Sequence, residues 1–252
     1  MALSVAGQAR AIDIDFDGYT TGDIAGQTGS TASGGVDAAA GASWETWQFG
    51  PGENVVDDNL GTAGSETSAN PIAVVNTPDL WNSNWARLEV DGVSDDAWTL
   101  SGIVQYDGEF STAAPGRMVW FGLQLYRGDT EVFGLGKGGG DANYTMFGDA
   151  SADSGVPVVS GEAVHLKAEY DGSSVKMYVD GVLEATDNAP GDLSGLDHLY
   201  IRTGSGALSD TGVPPTGTFS ADNISLVVPE PASLALLGLG GVVMLGRRRR
   251  QA

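Results

Sequence analysis

Apolar and polar residues alternate with a period of two through much of the chain between Ile12 and Val228. In Ile12-Asp13-Ile14-Asp15-Phe16-Asp17 each apolar residue is followed by an aspartate. That is the pattern of a half-buried strand with one carboxylate-lined face. Val164, Leu166, Ala168 and Tyr170 alternate with His165, Lys167 and Glu169, and Val175, Met177 and Val179 alternate with Lys176, Tyr178 and Asp180. Asp171-Gly172-Ser173-Ser174 separates the two runs and Asp180-Gly181 follows the second. Both are turn sequences, so the segment reads as consecutive hairpins ending in Val182-Leu183-Glu184. Met118 to Tyr126 is apolar on both faces, as a central strand covered on both sides requires. His198 to Arg202 and Asn223 to Val227 add further strands. No long stretch before residue 230 has a helical period. Many short strands with Gly, Asp and Asn turns predict an all-β fold, a single β-sandwich or jelly roll over residues 12–228. Thr20 to Gly41 and Asp141 to Gly155 are rich in Gly, Ala, Ser, Thr and Asp, and are expected to be long loops.

The alternation stops at Val228-Pro229-Glu230-Pro231-Ala232-Ser233, where two prolines end any strand and leave an extended segment. An apolar run from Leu234 to Leu245 follows, then Gly246 and Arg247, Arg248, Arg249 and Arg250. The run is shorter than the roughly 20 residues of a usual spanning helix, but arginine side chains can snorkel and lengthen it. A short C-terminal transmembrane helix is therefore expected, with the arginines as a cytoplasmic stop and the body outside. The competing reading, a buried core helix with a basic tail, fits four consecutive terminal arginines poorly. Pro229, Glu230 and Pro231, the short Leu/Gly/Val-rich span and the arginine cluster together resemble the PEP-CTERM sorting signal of Gram-negative bacteria. The resemblance implies export, transient inner-membrane anchoring and processing near Pro229 to Pro231 by an exosortase. It also implies a host that makes exopolysaccharide or biofilm matrix, and a final place at the cell surface or outside it. At the other end, Ala9-Arg10-Ala11 has the small-x-small form of a signal peptidase site. Residues 1–11 are accordingly expected to be the remnant of a truncated signal peptide, followed by an ectodomain at 12–228 and the sorting signal at 229–252.

Composition narrows the chemistry. The chain has no cysteine, which excludes thiol catalysis and thiolate metal sites. Its formal net charge is -21. Setting aside Arg10, Glu230 and the tail arginines leaves about -25 on the body. Such a surface repels nucleic acid, favours solubility in a salty or extracellular setting, and can attract divalent cations or cationic polymers.

The stretch from His165 to Val228, with its "YDGSSVKMYVDGVLE" hairpin and late "FSADNISLVV" strand, resembles the concanavalin A-like lectin/glucanase sandwich, including laminin-G-like domains. The opening "IDFDGYTTGDIAGQ" is similar to the first strand of many such domains. The resemblance implies carbohydrate binding and, in its glucanase branch, a Glu-x-Asp-x-x-Glu strand carrying both catalytic carboxylates. Glu89-Val90-Asp91-Gly92-Val93-Ser94 comes nearest and lacks the last glutamate, so no catalytic residue is assigned. His165 and His198 lie on strands without the partners a triad or a zinc site needs. Gly134 to Gly140 has no Gly-Lys-Ser/Thr and reads as a mobile hairpin loop, not a phosphate loop. Calcium, which takes hard oxygen ligands, is the expected structural cofactor. The resemblance makes first and last strands neighbours and would bring Asp222-Asn223 towards Asp15 and Asp17. Asp57-Asp58-Asn59 is a weaker cluster. Exposed aromatics that could hold a sugar are drawn from Trp44, Trp47, Trp81, Trp85, Trp120, Tyr126 and Tyr178, with Trp81 and Trp85 in a loop-like setting.

The expected function is that of an exported, non-enzymatic surface or matrix protein with a polysaccharide ligand. A carbohydrate-active enzyme with an unrecognised site, and a structural or adhesive biofilm protein, are the alternatives.

Overall fold

The computed structural model describes residues 10–14, 22–23, 45–49, 54–56, 62–63, 66–67, 72–76, 81–90, 97–108, 117–207 and 217–228. In chain order the strands are β1 (Arg10–Ile14), β2 (Gly22–Asp23), β3 (Glu45–Phe49), β4 (Asn54–Val56), β5 (Thr62–Ala63), β6 (Glu66–Thr67), β7 (Ile72–Asn76), β8 (Trp81–Glu89) and β9 (Trp98–Gly108). They continue as β10 (Arg117–Arg127), β11 (Thr130–Lys137), β12 (Asn143–Gly148), β13 (Ala152–Pro157), β14 (Ala163–Tyr170), β15 (Val175–Val179), β16 (Val182–Asp187), β17 (His198–Ala207) and β18 (Gly217–Val228). Two sheets contain all but β5 and β6. One runs β16-β15-β14-β9-β18-β7-β4-β2, with β1 also on β18; the other runs β13-β12-β11-β10-β17-β8-β3. Every pairing is antiparallel. The described residues contain no helix, so none is long and apolar enough to cross a membrane; residues 229–252 lie outside them.

The period-two pattern gives each sheet one apolar face, and the two faces meet in one core. Leu100, Val104 and Tyr106 of β9, Leu166 and Ala168 of β14, and Phe219, Ala221 and Leu226 of β18 come from the larger sheet. Phe121, Leu123 and Leu125 of β10, Phe133 and Leu135 of β11, and Leu199 and Ile201 of β17 come from the smaller. Aromatic contacts bridge the layers: Trp98 meets Phe133 edge-on at 4.9 Å, and Phe121 stacks on Tyr106 at 4.9 Å and on Phe219 at 5.0 Å. Each such side chain contributes about 1.5–3 kcal/mol by leaving water.

The expected hairpins form. Asp180 and Gly181 both have positive φ (48° and 82°), the geometry of a two-residue turn whose twist matches its strands. In the preceding turn Asp171 accepts hydrogen bonds from the backbone N–H of Ser173 and Ser174 and from both hydroxyls. These bonds hold its carboxyl well below the usual carboxylate range. The neighbouring of first and last strands also holds. β18 lies against β9 on one side, while its other side is shared between β7, along Gly217–Ala221, and β1, up to Ile14 opposite Ile224. Asp222 and Asn223 fall at that joint, where the register with β9 shifts and Asn223 has φ 47°. Asparagine tolerates this left-handed conformation better than most residues.

Three expectations of loop or turn structure are corrected. Most of Asp141 to Gly155 is strand, in β12 and β13, because Tyr144 and Met146 alternate into the core. Gly134 to Lys137 closes β11 and is not a mobile loop; Leu135 points inward, and Lys137, only 2% exposed, donates to the carbonyls of Val119 (2.7 Å) and Gly138 (3.1 Å). Burial brings the Lys137 amine down to about 8. Trp81 and Trp85 stand on strand β8, not in a loop.

Gly122 and Gly136 are cross-strand partners. A β-carbon on Gly136 would stand 2.1 Å from the Phe121 carbonyl oxygen, and one on Gly122 2.6 Å from that of Leu135. Backbone approaches backbone here because both residues are glycine. Gly136→Ala should therefore lower the unfolding free energy by about 1–3 kcal/mol, seen as a lower urea midpoint at unchanged slope. A midpoint equal to the parent's would mean that the strands part there without cost.

Candidate functional site

With Phe121, Leu123 and Leu125 turned into the core, β10 presents Trp120, Gly122, Gln124 and Tyr126 on the opposite face of the seven-stranded sheet. The register carries that face across four strands in rows. Glu89, His198, Tyr126 and Glu131 form one row; Arg87, Tyr200, Gln124 and Gly134 the next; Trp85, Arg202, Gly122 and Gly136 the third. Trp120 and Gly204 are opposite each other beyond it. This outer face carries Trp85, Trp120, Tyr126, Phe147 and Tyr200 as well as polar side chains.

Two rings lie on glycines. A β-carbon at Gly204 would stand 2.2 Å from the Trp120 indole, and one at Gly134 would stand 2.0 Å from the Phe147 ring. Each ring occupies the space above a neighbouring strand that any other residue would fill, and each is half-buried. A half-buried aromatic ring laid along a sheet keeps part of its apolar surface in solvent, and such surface can stack against a sugar ring. Beside them Tyr126 stacks on Tyr200 at 4.0 Å, and Trp85 meets Tyr200 edge-on at 5.2 Å. The Arg87 guanidinium stands over Trp85 at 5.2 Å and donates to the Tyr200 hydroxyl at 3.0 Å.

The polar centre is the Tyr126 hydroxyl. Arg202 donates to it in a short hydrogen bond. Its single proton has two acceptors, Gln124 Oε1 at 3.2 Å and Glu131 Oε2 at 3.3 Å. Burial pushes the phenol's pKa well above its ordinary value and outweighs Arg202, while Glu131 adds to the rise. Burial likewise raises the Glu131 carboxyl, against the pull of Arg202, 3.9 Å away, and of the Tyr126 bond. Gln124 is fully buried, and its Nε2 has no hydrogen-bond partner among the described residues. His198 is fixed by Asp197 at 2.7 Å, whose carboxylate also receives the Gly128 N–H. Glu89 and Glu131 share a row but stand three strand spacings apart, about 14 Å at the backbone. A glycosidase pair is about 5–9.5 Å apart, so these two do not fit one.

Several nominated residues come together here: Trp85, Trp120 and Tyr126 all lie on this face, and Trp47 is opposite Trp85 in register. Tyr178 does not; it lies in the other sheet, bonded to Glu169 at 2.8 Å with the Lys167 ammonium 4.2 Å from its ring centre. His165 is held at the hairpin end, its backbone N–H donating to Asp180 at 2.8 Å. Asp222 is buried in β18. Its proposed calcium partners Asp15 and Asp17, together with Trp44, Asp57 to Asn59, Asp91, Pro229 to Pro231 and Arg247 to Arg250, lie outside the described residues. Among the described residues no group of three His, Asp or Glu could hold a metal ion. The polar members Arg87, Gln124, Glu131 and Arg202 were not anticipated. They are single residues in strand patterns, and the sequence does not mark which strands pair.

Residues 227–250 match the PEP-CTERM protein-sorting motif. The sorting motif implies export and membrane-associated sorting in Gram-negative bacteria. No curated protein matches the chain in sequence. Among solved structures, a sialidase is similar at 10% identity and a TM-score of 0.52, over 73% of this chain and 16% of its own. The cellulose induced protein Cip1 is similar at 14% identity and 0.50, over 85% and 96%. The binding domain of botulinum neurotoxin DC, solved with rat synaptotagmin II, is similar at 8% identity and 0.50, over 89% and 51%. The chain thus spans a small part of the sialidase and about half of the neurotoxin domain. At these identities the likeness is one of fold, the β-sandwich that the alternation predicts.

Tyr126→Phe would remove the hydroxyl that accepts from Arg202 and donates to Gln124 and Glu131, inside a half-buried cluster. It should lower stability by about 1–3 kcal/mol, measured by urea unfolding. No change would mean that water takes over the hydroxyl's role.

Proposed function

We propose that this is an exported surface or extracellular-matrix protein, processed by an exosortase, whose sandwich binds a polysaccharide without cleaving it. The ligand lies on the outer face of the seven-stranded sheet. One observation carries the reading: Trp120 and Phe147, both half-buried, lie flat over glycines of adjacent strands, on the same sheet face as the partly exposed guanidiniums of Arg87 and Arg202. That pairing of ring face and polar partner is what a carbohydrate requires. The sorting motif supports placing such a surface where cell-envelope polysaccharide is abundant.

Two measurements test it. Trp120→Ala should weaken binding of the full chain to a panel of bacterial exopolysaccharides by about 1–3 kcal/mol, ten-fold or more, by analogy with other stacking platforms. Binding unchanged by the substitution would remove this face as the site. Release of new chain ends from a bound polysaccharide would replace the reading by an enzymatic one, while calcium-driven self-association without glycan binding would favour an adhesive role. For processing, mass spectrometry of protein recovered from the host should find a released form ending near Pro229 to Pro231. Inner-membrane protein retaining Arg247 to Arg250, with no released form, would show that the tail is a simple anchor.

A further inference from the structure

We propose that Asn143 is an N-glycosylation acceptor, carrying an oligosaccharide transferred from a polyprenyl diphosphate during export. The inference is separate from the ligand-binding face and uses only the export that the sorting motif implies.

The chain contains two Asn-x-Ser/Thr triplets, Asn143-Tyr144-Thr145 and Asn223-Ile224-Ser225. This triplet is the acceptor sequence for transfer to asparagine in exported proteins. It also recurs by chance, so placement has to separate the two. Asn143 opens β12. Tyr144 and Met146 point into the core, so Asn143 and Thr145 point outward. The Asn143 amide nitrogen donates to the two carboxylate oxygens of Asp153, at 2.9 and 3.2 Å, in solvent-exposed bonds. A glycosylated amide keeps one N–H, so the bond to Asp153 can persist while the sugar points to water. The backbone is loosely held as well. Opposite Asn143 stands Pro157, which has no N–H to give, and the register slips between Asn143 and Thr145. The ladder to β11 reaches only as far as Thr145, opposite Gly136.

Asp141 lies two residues before Asn143, as Thr145 lies two after. In an extended chain all three fall on one side. One enzyme surface can then meet carboxylate, amide and hydroxyl together, the carboxylate by a charge-assisted bond. In the folded chain the Thr145 hydroxyl donates to Asp141 at 3.2 Å and accepts from the Gly138 N–H at 3.0 Å, and Thr145 is 4% exposed. Transfer therefore precedes closure of this turn, and folding leaves the modified amide at the surface. Asn223 lacks these features. Ala221 stands in the acid's place, and Asn223 lies inside β18 at the register shift against β9, with φ 47°.

In the transfer, Asn143 Nδ2 bonds to C1 of the first sugar. The C1–O bond to the polyprenyl diphosphate breaks with its electron pair left on the diphosphate, and the proton lost from nitrogen passes to a base of the transferase.

The test is peptide mass spectrometry of the full chain and its variants, recovered from the envelope and medium of the native host. In the parent, the peptide containing Asn143 should carry a glycan, at an occupancy at least ten-fold above that at Asn223. Asn143→Gln should abolish it, Asn223→Gln should leave it unchanged, and Asp141→Asn should lower occupancy at least five-fold. Exported parent protein with Asn143 unmodified throughout would overturn the proposal. Equal occupancy at Asn223 would overturn the argument from placement, and full occupancy in Asp141→Asn would overturn the part given to Asp141. If a variant fails to accumulate, the parent's own peptide map decides.

Discussion

Strand β10 is buried on both faces, and much of the rest follows from that. Its inner face needs only apolar residues, and Phe121, Leu123 and Leu125 fill it. Its outer face buries Gln124 and Tyr126, at 0% and 5% exposure, and a buried amide or hydroxyl without a partner costs about 1–3 kcal/mol. The neighbouring strands therefore have to supply polar atoms at fixed places. Arg202 from β17 and Glu131 from β11 do so around the Tyr126 oxygen. Burial in turn pushes the phenol and the Glu131 carboxyl towards their neutral forms.

The same sheet gives up side chains where it holds rings. Gly134 and Gly204 contribute nothing of their own, and glycine in a strand weakens it. The Phe147 and Trp120 rings lie in the space left over them. Stability is lost locally and a flat, half-buried apolar surface is gained. Asn223 and Gly102 show the complementary use. The shift in β18 at Asp222–Ser225 places Ile224 near Gly102, where a β-carbon would come within 3.3 Å of the Ile224 side chain.

How far the sequence reveals this depends on whether the interacting residues are local. The hairpins from Ala163 to Asp187 are legible because strand, turn and strand are contiguous, and Asp171 and Asp180 satisfy their own turns. The sandwich is legible from alternation alone. β12 and β13 were hidden by composition: six-residue strands bounded by Gly, Asp and Ser look like loop until Tyr144 and Met146 are seen to share a face. The polar half of the site was hidden by distance. Tyr126 and Arg202 are 76 residues apart, and Arg87 and Tyr200 are 113 apart. Only the strand order brings them together. The aromatic half could be nominated residue by residue, yet only the register shows that Trp85, Trp120 and Tyr126 share a face while Tyr178 lies in the opposite sheet.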